Sequence, residues 1–195
     1  RPTGPADVVL VVDVSGSMQG EKARAVGRSV AAFAAMLDLT RHRLGVVTFN
    51  GAATLHLHLT NSASAIADLP DQFGASGGTS MKAGLQAAAD HLRAAGRPGV
   101  KQVIVFFTDG QSADDPVPLA AEARAEGMQI YAVGTADADM AVLIRMAGSV
   151  QRAFHAPSAS DLPALYELIA AVVGSDAGGV MLEDVLGRDV ALVAG

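Results

Sequence analysis

The first patterned stretch of the chain is Asp7 followed by Val8-Val9-Leu10-Val11-Val12, an apolar run without alternation that closes on Asp13. A strand exposed on one face would alternate, so the run predicts a strand over 7–14 buried on both faces, as in a parallel sheet. Between Glu21 and Leu37 the residues Ala25, Val26, Val30, Phe33, Ala34 and Leu37 return at helical spacing, after a connection containing Gly16 and Gly20. Strand, glycine turn and helix thus open the pattern. Leu44 to Phe49 predicts a second strand and Asn50-Gly51 a two-residue hairpin turn. Thr54 to Leu59 predicts a third strand, in which Leu55, Leu57 and Leu59 alternate with Thr54, His56 and His58. This hairpin supplies one antiparallel edge strand.

Ser62 to Leu69 reads as a short helix, and Gly74 to Ser80 as a loop into a helix over Met81–Ala95 capped by Thr79 or Ser80. Strands at Val103–Phe107, Gln129–Val133 and Ala153-Phe154 then alternate with helices at Leu119–Glu126, Asp139–Met146 and Leu162–Val173. Such alternation predicts an α/β fold, a doubly wound, Rossmann-like and mostly parallel sheet with helices on both faces. The domain is expected over 6–174, preceded by a leader or linker at 1–5. Residues 175–195 read as a linker and the start of a truncated following segment.

A chain of 195 residues with 50% hydrophobic content is enough for one domain with its own core, and a mean hydropathy of +0.33 excludes disorder. Twenty acidic against 14 basic side chains give a net charge of -6, so neither nucleic acid nor an anionic membrane is an expected partner. No apolar run reaches the roughly 18 residues of a membrane span. With no Cys, disulfides, zinc-thiolate sites, iron–sulfur clusters and thiol nucleophiles are excluded, while the compartment stays open.

In an open α/β sheet ligands bind beyond the carboxyl ends of the strands, so the loops after strands are where chemistry is sought. Three of them carry hard oxygen donors: Asp13-Val14-Ser15-Gly16-Ser17 after the first strand, Thr79 in the glycine-rich loop, and Thr108-Asp109-Gly110 after Val103–Phe107. In Asp-x-Ser-x-Ser alternate residues of an extended segment point to one side, which turns both serine hydroxyls toward one ion. Carboxylate and hydroxyl oxygens without imidazole or thiolate suit Mg²⁺, or Mn²⁺ in its place, with Ca²⁺ less suited. Taken singly, Asp13, Ser15 and Ser17 read as turn or capping residues; the constellation reverses that.

Asp13-x-Ser15-x-Ser17, Thr79 and Asp109 in Thr108-Asp109-Gly110 resemble the metal-ion-dependent adhesion site of von Willebrand factor type A domains, and all five positions match. The resemblance covers residues 6 to 173. It implies a Rossmann-like sheet with a Mg²⁺ or Mn²⁺ site at its top held by Asp13, Ser15, Ser17, Thr79 and Asp109. It also implies protein binding in which a partner's Asp or Glu completes the coordination. In that family the two serines usually touch the ion directly, whereas the threonine and the aspartates exchange between direct and water-mediated contact.

The same residues admit other readings. A regulatory-subunit domain docking onto an ATPase or chelatase-like machine would share this site chemistry. A Mg²⁺-dependent aspartyl-phosphate phosphatase needs a second carboxylate two residues after Asp13, where this chain has Ser15, and no G-x-S-x-G motif supports a serine hydrolase, so an enzyme is not expected. Gly77-Gly78-Thr79 lacks the lysine of a phosphate-binding loop. His56 and His58 share one face of the edge strand in this reading and form a possible i, i+2 metal pair, although water-facing positions are the plainer account. Met18 and Met81 pack beneath the site. Lys82 faces solvent as the one cation near the site in sequence. Asp114 and Asp115 form a turn and helix cap before Pro116, or else add negative field near the ion.

Overall fold

The computed structural model describes residues 4–70, 73–135, 138–156 and 161–174. Six strands, β1 (Ala6–Asp13), β2 (Arg43–Phe49), β3 (Ala53–Thr60), β4 (Lys101–Thr108), β5 (Gln129–Thr135) and β6 (Ala153–Ala156), form one sheet in the order β3-β2-β1-β4-β5-β6. All pairings are parallel except β2 with β3. The chain lays β2 and β3 to one side of β1, then returns through α3 (Met81–Ala95) and lays β4, β5 and β6 to the other. Strand order therefore reverses between β1 and β4, which opens a crevice beyond their carboxyl ends.

The sheet is covered on both faces, which accounts for the unbroken apolar strands. Val8, Leu10 and Val12 pack with Val26, Val30 and Phe33 of α1 (Glu21–Met36) and with Leu165, Tyr166 and Ile169 of α6 (Leu162–Gly174). Val9 and Val11 face the other way, onto Leu85, Ala88 and Leu92 of α3, in a layer shared with α4 (Val117–Ala125) and α5 (Met140–Ala147). Gly84 lets α3 approach the sheet closely, since a Cβ there would stand 2.7 Å from the Phe49 ring. The short α2 (Ala63–Ala67) lays Ile66 against the first layer. Residues 175–195, read above as linker and following segment, lie outside the described residues, as do positions 1–3 of the expected leader.

The hairpin departs from expectation. Phe49 pairs with Ala53, so the connection is the three residues Asn50, Gly51 and Ala52 rather than a two-residue turn. Asn50 closes it by itself: its amide donates to the Ala52 carbonyl at 2.9 Å, and its Oδ1 accepts from the Ala52 amide at 3.1 Å. The pairing register also shifts between Val46 and Val47, which face Leu57 and Leu55. This bulge breaks the alternation, because an extra residue on one strand re-aims the side chains beyond it. Leu57 packs in the α1 layer while Leu55 and Leu59 pack in the α3 layer.

Candidate functional site

Loop contacts at the carboxyl ends of β1 and β4 bring together segments far apart in sequence. The Gly16 amide donates to the Gly77 carbonyl at 3.0 Å, and the Ser76 amide to the Val14 carbonyl at 2.9 Å. Gly77 takes φ +76°, a left-handed conformation that a side chain would oppose. Asn50 ties the hairpin to the same loop, donating from Nδ2 to the Ser76 carbonyl at 3.0 Å and accepting from the Ser80 amide through its own carbonyl. The predicted cap resolves to Ser80, whose Oγ accepts from the Ala83 amide at 3.1 Å; the Thr79 side chain is not the helix cap.

Within that frame the structure joins four of the five sequence-derived residues into one chain of hydrogen bonds. Asp13 Oδ1 accepts from the Ser15 amide at 2.8 Å, the Ser15 and Ser17 hydroxyls meet at 3.1 Å, and Ser17 Oγ donates to Asp109 Oδ1 at 2.8 Å. Asp13, Ser15 and Asp109 are buried, and Ser17 is exposed. Thr79 is half-buried on the neighbouring loop, where its carbonyl accepts from the Ala113 amide at 2.9 Å, while its hydroxyl stands outside that hydrogen-bonded chain. Thr108, buried at the end of β4, donates from Oγ1 to Asp13 Oδ2 at 2.6 Å and locks the two central strands together at the crevice.

The electrostatics of the two aspartates at the ends of β1 differ sharply. Asp7 is wholly buried but receives Arg43 on both oxygens, at 2.9 and 2.6 Å, and Arg97 through its side chain at 2.9 Å and its amide at 2.6 Å. Burial pushes its carboxyl up; the hydrogen bonds and charge of the two arginines outweigh that and hold it below the usual carboxylate range. Asp13 is as deeply buried and, among the described residues, has no ion-pair partner. Burial raises its carboxyl, hydrogen bonds from Ser15 and Thr108 oppose the rise only in part, and the nearby Asp109 charge adds to it. A buried carboxylate held only by hydroxyls and an amide is a site short of positive charge.

The cation that the sequence does not place here is Lys22. From the first turn of α1 its Nζ lies 2.6 Å from Asp109 Oδ2. The donor set therefore already contacts one hard cation, an ammonium, and its oxygen-only chemistry fits a divalent one. Lys82, expected as the nearby charge, instead contributes its backbone amide, which donates to Asp114 Oδ1 at 3.1 Å. Asp114 also accepts from Ser80 Oγ and, at 2.6 Å, from Ser112 Oγ, so it clamps the start of α3 to the loop after β4. Asp115 turns the chain into α4, accepting from the Val117 amide at 3.0 Å, one residue before Pro116 at the N-cap. The turn expected before Pro116 thus rests on Asp115 alone, whereas Asp114 bonds the first turn of α3 instead of the helix at Pro116.

Met18 and Met81 lie buried beneath the site, one in each layer. The histidines do not form a pair on one face. His56 lies tilted against the Phe73 ring, with centroids 5.0 Å apart, and meets Thr48 Oγ1 at 2.7 Å, on the α1 side, while the His58 ring stands 5.2 Å from that of His91 of α3 on the opposite side. The β3 bulge is the physical reason. Among the described residues no group of three or more His, Asp or Glu side chains forms a metal cluster, so any cation at this crevice depends on hydroxyls as well as carboxylates.

The family model of the von Willebrand factor type A domain matches residues 7–168. Matrilin-3 of Gallus gallus is 30% identical over 160 residues, covering 73% of this chain and 34% of that protein. Vitrin of Mus musculus is 32% identical over 136 residues, covering 67% and 21%. The chain thus spans about a third of the first of these relatives and a fifth of the second. Among solved structures, proximal thread matrix protein 1 of the mussel byssus, with a zinc-occupied MIDAS motif, superposes with a TM-score of 0.74 at 24% identity, over 87% of this chain and 46% of that one. The open conformation of the pilus adhesin SpaC of Lactobacillus rhamnosus GG gives 0.76 at 18% identity, over 89% and 30%.

Proposed function

The chain belongs to the von Willebrand factor type A domain family, and on that premise we propose that it is a metal-dependent protein-binding module of the adhesion type. Its site takes one Mg²⁺ through Asp13, Ser15, Ser17, Thr79 and Asp109, with Mn²⁺ able to replace it. The observation that carries this reading is Asp13, a buried carboxylate at the topological switch point whose protein partners are hydroxyls and an amide. Relatives in this family include matrilins and vitrin, which supports a protein-interaction role.

When bound, the metal would supply a positive, Lewis-acidic centre in a crevice whose buried carboxylates are Asp13 and Asp109, with Asp114 and Asp115 on the loop after β4. Ser15 and Ser17 are neutral donors, so the two carboxylates would only balance a divalent charge, and the coordination positions left to water would be open to one further carboxylate from a partner. Thr108 and the Ser15 amide hold Asp13 in place, and Asp114 holds the Thr79 loop against the Asp109 loop. Recognition rather than catalysis follows from the position two residues after Asp13, where an acid–base carboxylate would be needed and Ser15 stands instead.

An array of peptides with a central Asp or Glu, paired with the same array carrying Asn or Gln, tests the reading. Peptides selected in Mg²⁺ should lose binding in EDTA, in the Asn or Gln twin, and with the combined Ser15→Ala and Ser17→Ala variant. Selected peptides that bind equally well in EDTA or without their carboxylate overturn it.

A further inference from the structure

Resting on that metal-site reading, we propose that Lys22 sets the divalent-ion affinity of the site, as a tethered cation that holds Asp109 and has to release it when an ion is taken up. Lys22 Nζ is 2.6 Å from Asp109 Oδ2, while the other carboxylate oxygen accepts from Ser17. The carboxylate is 1% exposed and the lysine side chain 47% exposed, so one partner is fixed by burial and the other is free to swing outward on its stem.

Local helix physics gives no reason for a lysine at this position. Lys22 lies in the first turn of α1, where the positive end of the helix dipole disfavours a cation and the neighbouring Glu21 is the favoured charge. Glu21 is itself paired with Arg24 at 2.7 Å, and Lys82 contributes its amide to Asp114, so Lys22 is the ammonium that neutralises Asp109. The pair acts against ion uptake in two ways. It stabilises the ion-free carboxylate, which an incoming ion must then win from the ammonium, and a lysine still beside an occupied site would repel the divalent charge.

The experiment measures Mn²⁺ binding by the electron paramagnetic resonance of free Mn²⁺, on the 195-residue chain as wild type, Lys22→Gln, Lys22→Arg and Asp109→Ala. Lys22→Gln should bind Mn²⁺ about five- to tenfold more tightly, the scale expected for losing a half-exposed charge-assisted bond. Lys22→Arg keeps the charge and should show no gain. In EDTA, Lys22→Gln should melt below wild type, and its midpoint should rise further on adding Mn²⁺. Equal or weaker Mn²⁺ affinity in Lys22→Gln, or an equal gain in Lys22→Arg, overturns the role given to Lys22 and leaves the metal site standing. Wild type and Lys22→Gln both binding no more Mn²⁺ than Asp109→Ala overturns the metal site and this inference with it.

Discussion

Asp7 and Asp13 occupy the two ends of β1, both with fully buried side chains, and are stabilised by opposite means: Asp7 by two guanidinium groups, Asp13 by hydroxyls and an amide. Asp7 closes a structural ion network at the amino end of the sheet, and Asp13 stands at the end that carries the proposed metal site. Their titrations have opposite signs. Asp7, held below its ordinary 3.8, contributes stability that is present above that value and lost as pH falls through the folded one. Asp13, raised above 3.8, costs stability at neutral pH, and that cost disappears as the pH falls below its folded value.

Asp7→Asn should therefore destabilise the protein at pH 7 by about 3 kcal/mol, the lower end for a broken buried pair because both arginines reach water. It should also flatten the loss of stability below pH 4. Asp13→Asn, measured in EDTA at pH 7, should be no less stable than wild type and should lose all response to Mg²⁺. Urea titrations across pH check both, and an Asp13→Asn protein that still gains stability from Mg²⁺ would remove Asp13 from the ligand set.

Mg²⁺ should raise the melting temperature of the wild type, since an ion bound only by the native state contributes about 2.7 kcal/mol at a hundredfold excess over Kd. Asp109→Ala should abolish that rise. The same variant should also melt lower than wild type in EDTA: Asp109 already pairs with Lys22 and accepts from Ser17, so removing it loses bonds rather than relieving repulsion. Differential scanning calorimetry with and without Mg²⁺ gives both numbers, and an Asp109→Ala protein more stable than wild type in EDTA would contradict the pairing.

Much of this was legible in the sequence because strong periodicity and a spaced motif survive without coordinates. The unbroken Val8 to Val12 run required a strand covered on both faces, and the alternation of elements required the parallel sheet that carries Asp13 and Asp109 to one edge. Tertiary pairing was not legible. Lys22 is 87 residues from Asp109 and lies on a helix face that reads as solvent-exposed, so no local pattern signals their contact. The β3 bulge leaves a perfect apolar alternation in the sequence and yet sends His56 and His58 to opposite faces. Asn50 looked like half of a tight turn because Asn-Gly favours one, whereas its side chain serves the Ser76 carbonyl and its own hairpin at once.

The clamp at Asp114 links the Thr79 loop to the Asp109 loop through Ser80, Ser112 and the Lys82 amide. Burial pushes its carboxyl up, and those three donors more than compensate, holding it below the ordinary value. Asp114→Ala leaves them without their acceptor and should cost about 1–2 kcal/mol, since the site is partly open to water. It should also weaken Mn²⁺ binding without touching any of the five proposed ligand positions. Unchanged Mn²⁺ affinity in a folded Asp114→Ala protein would show that the two loops hold their places independently.

Mild acid should weaken the fold well away from the candidate metal site. His42 is buried and accepts the Ala6 amide on Nδ1 at 3.1 Å; His91 accepts the Leu59 amide on Nε2 at 3.0 Å. Each ring has to be neutral at that nitrogen, because protonation would set N–H against N–H. Burial lowers both rings below the ordinary 6.5; nearby Arg41 lowers His42 further against the opposing pull of Asp38, and His58 and Arg43 lower His91 further. The unfolded chain then takes up protons before the folded one does. Stability from these two residues is complete above pH 6.5 and is lost as pH falls from there to the folded values, at up to about 1.4 kcal/mol per pH unit for each ring. Urea denaturation in EDTA at pH 7.5 and 5.5 should show the drop, and His42→Gln or His91→Gln should each make it shallower. A wild-type stability that stays flat across this interval, or variants as steep as wild type, would mean that these rings do not carry the acid sensitivity.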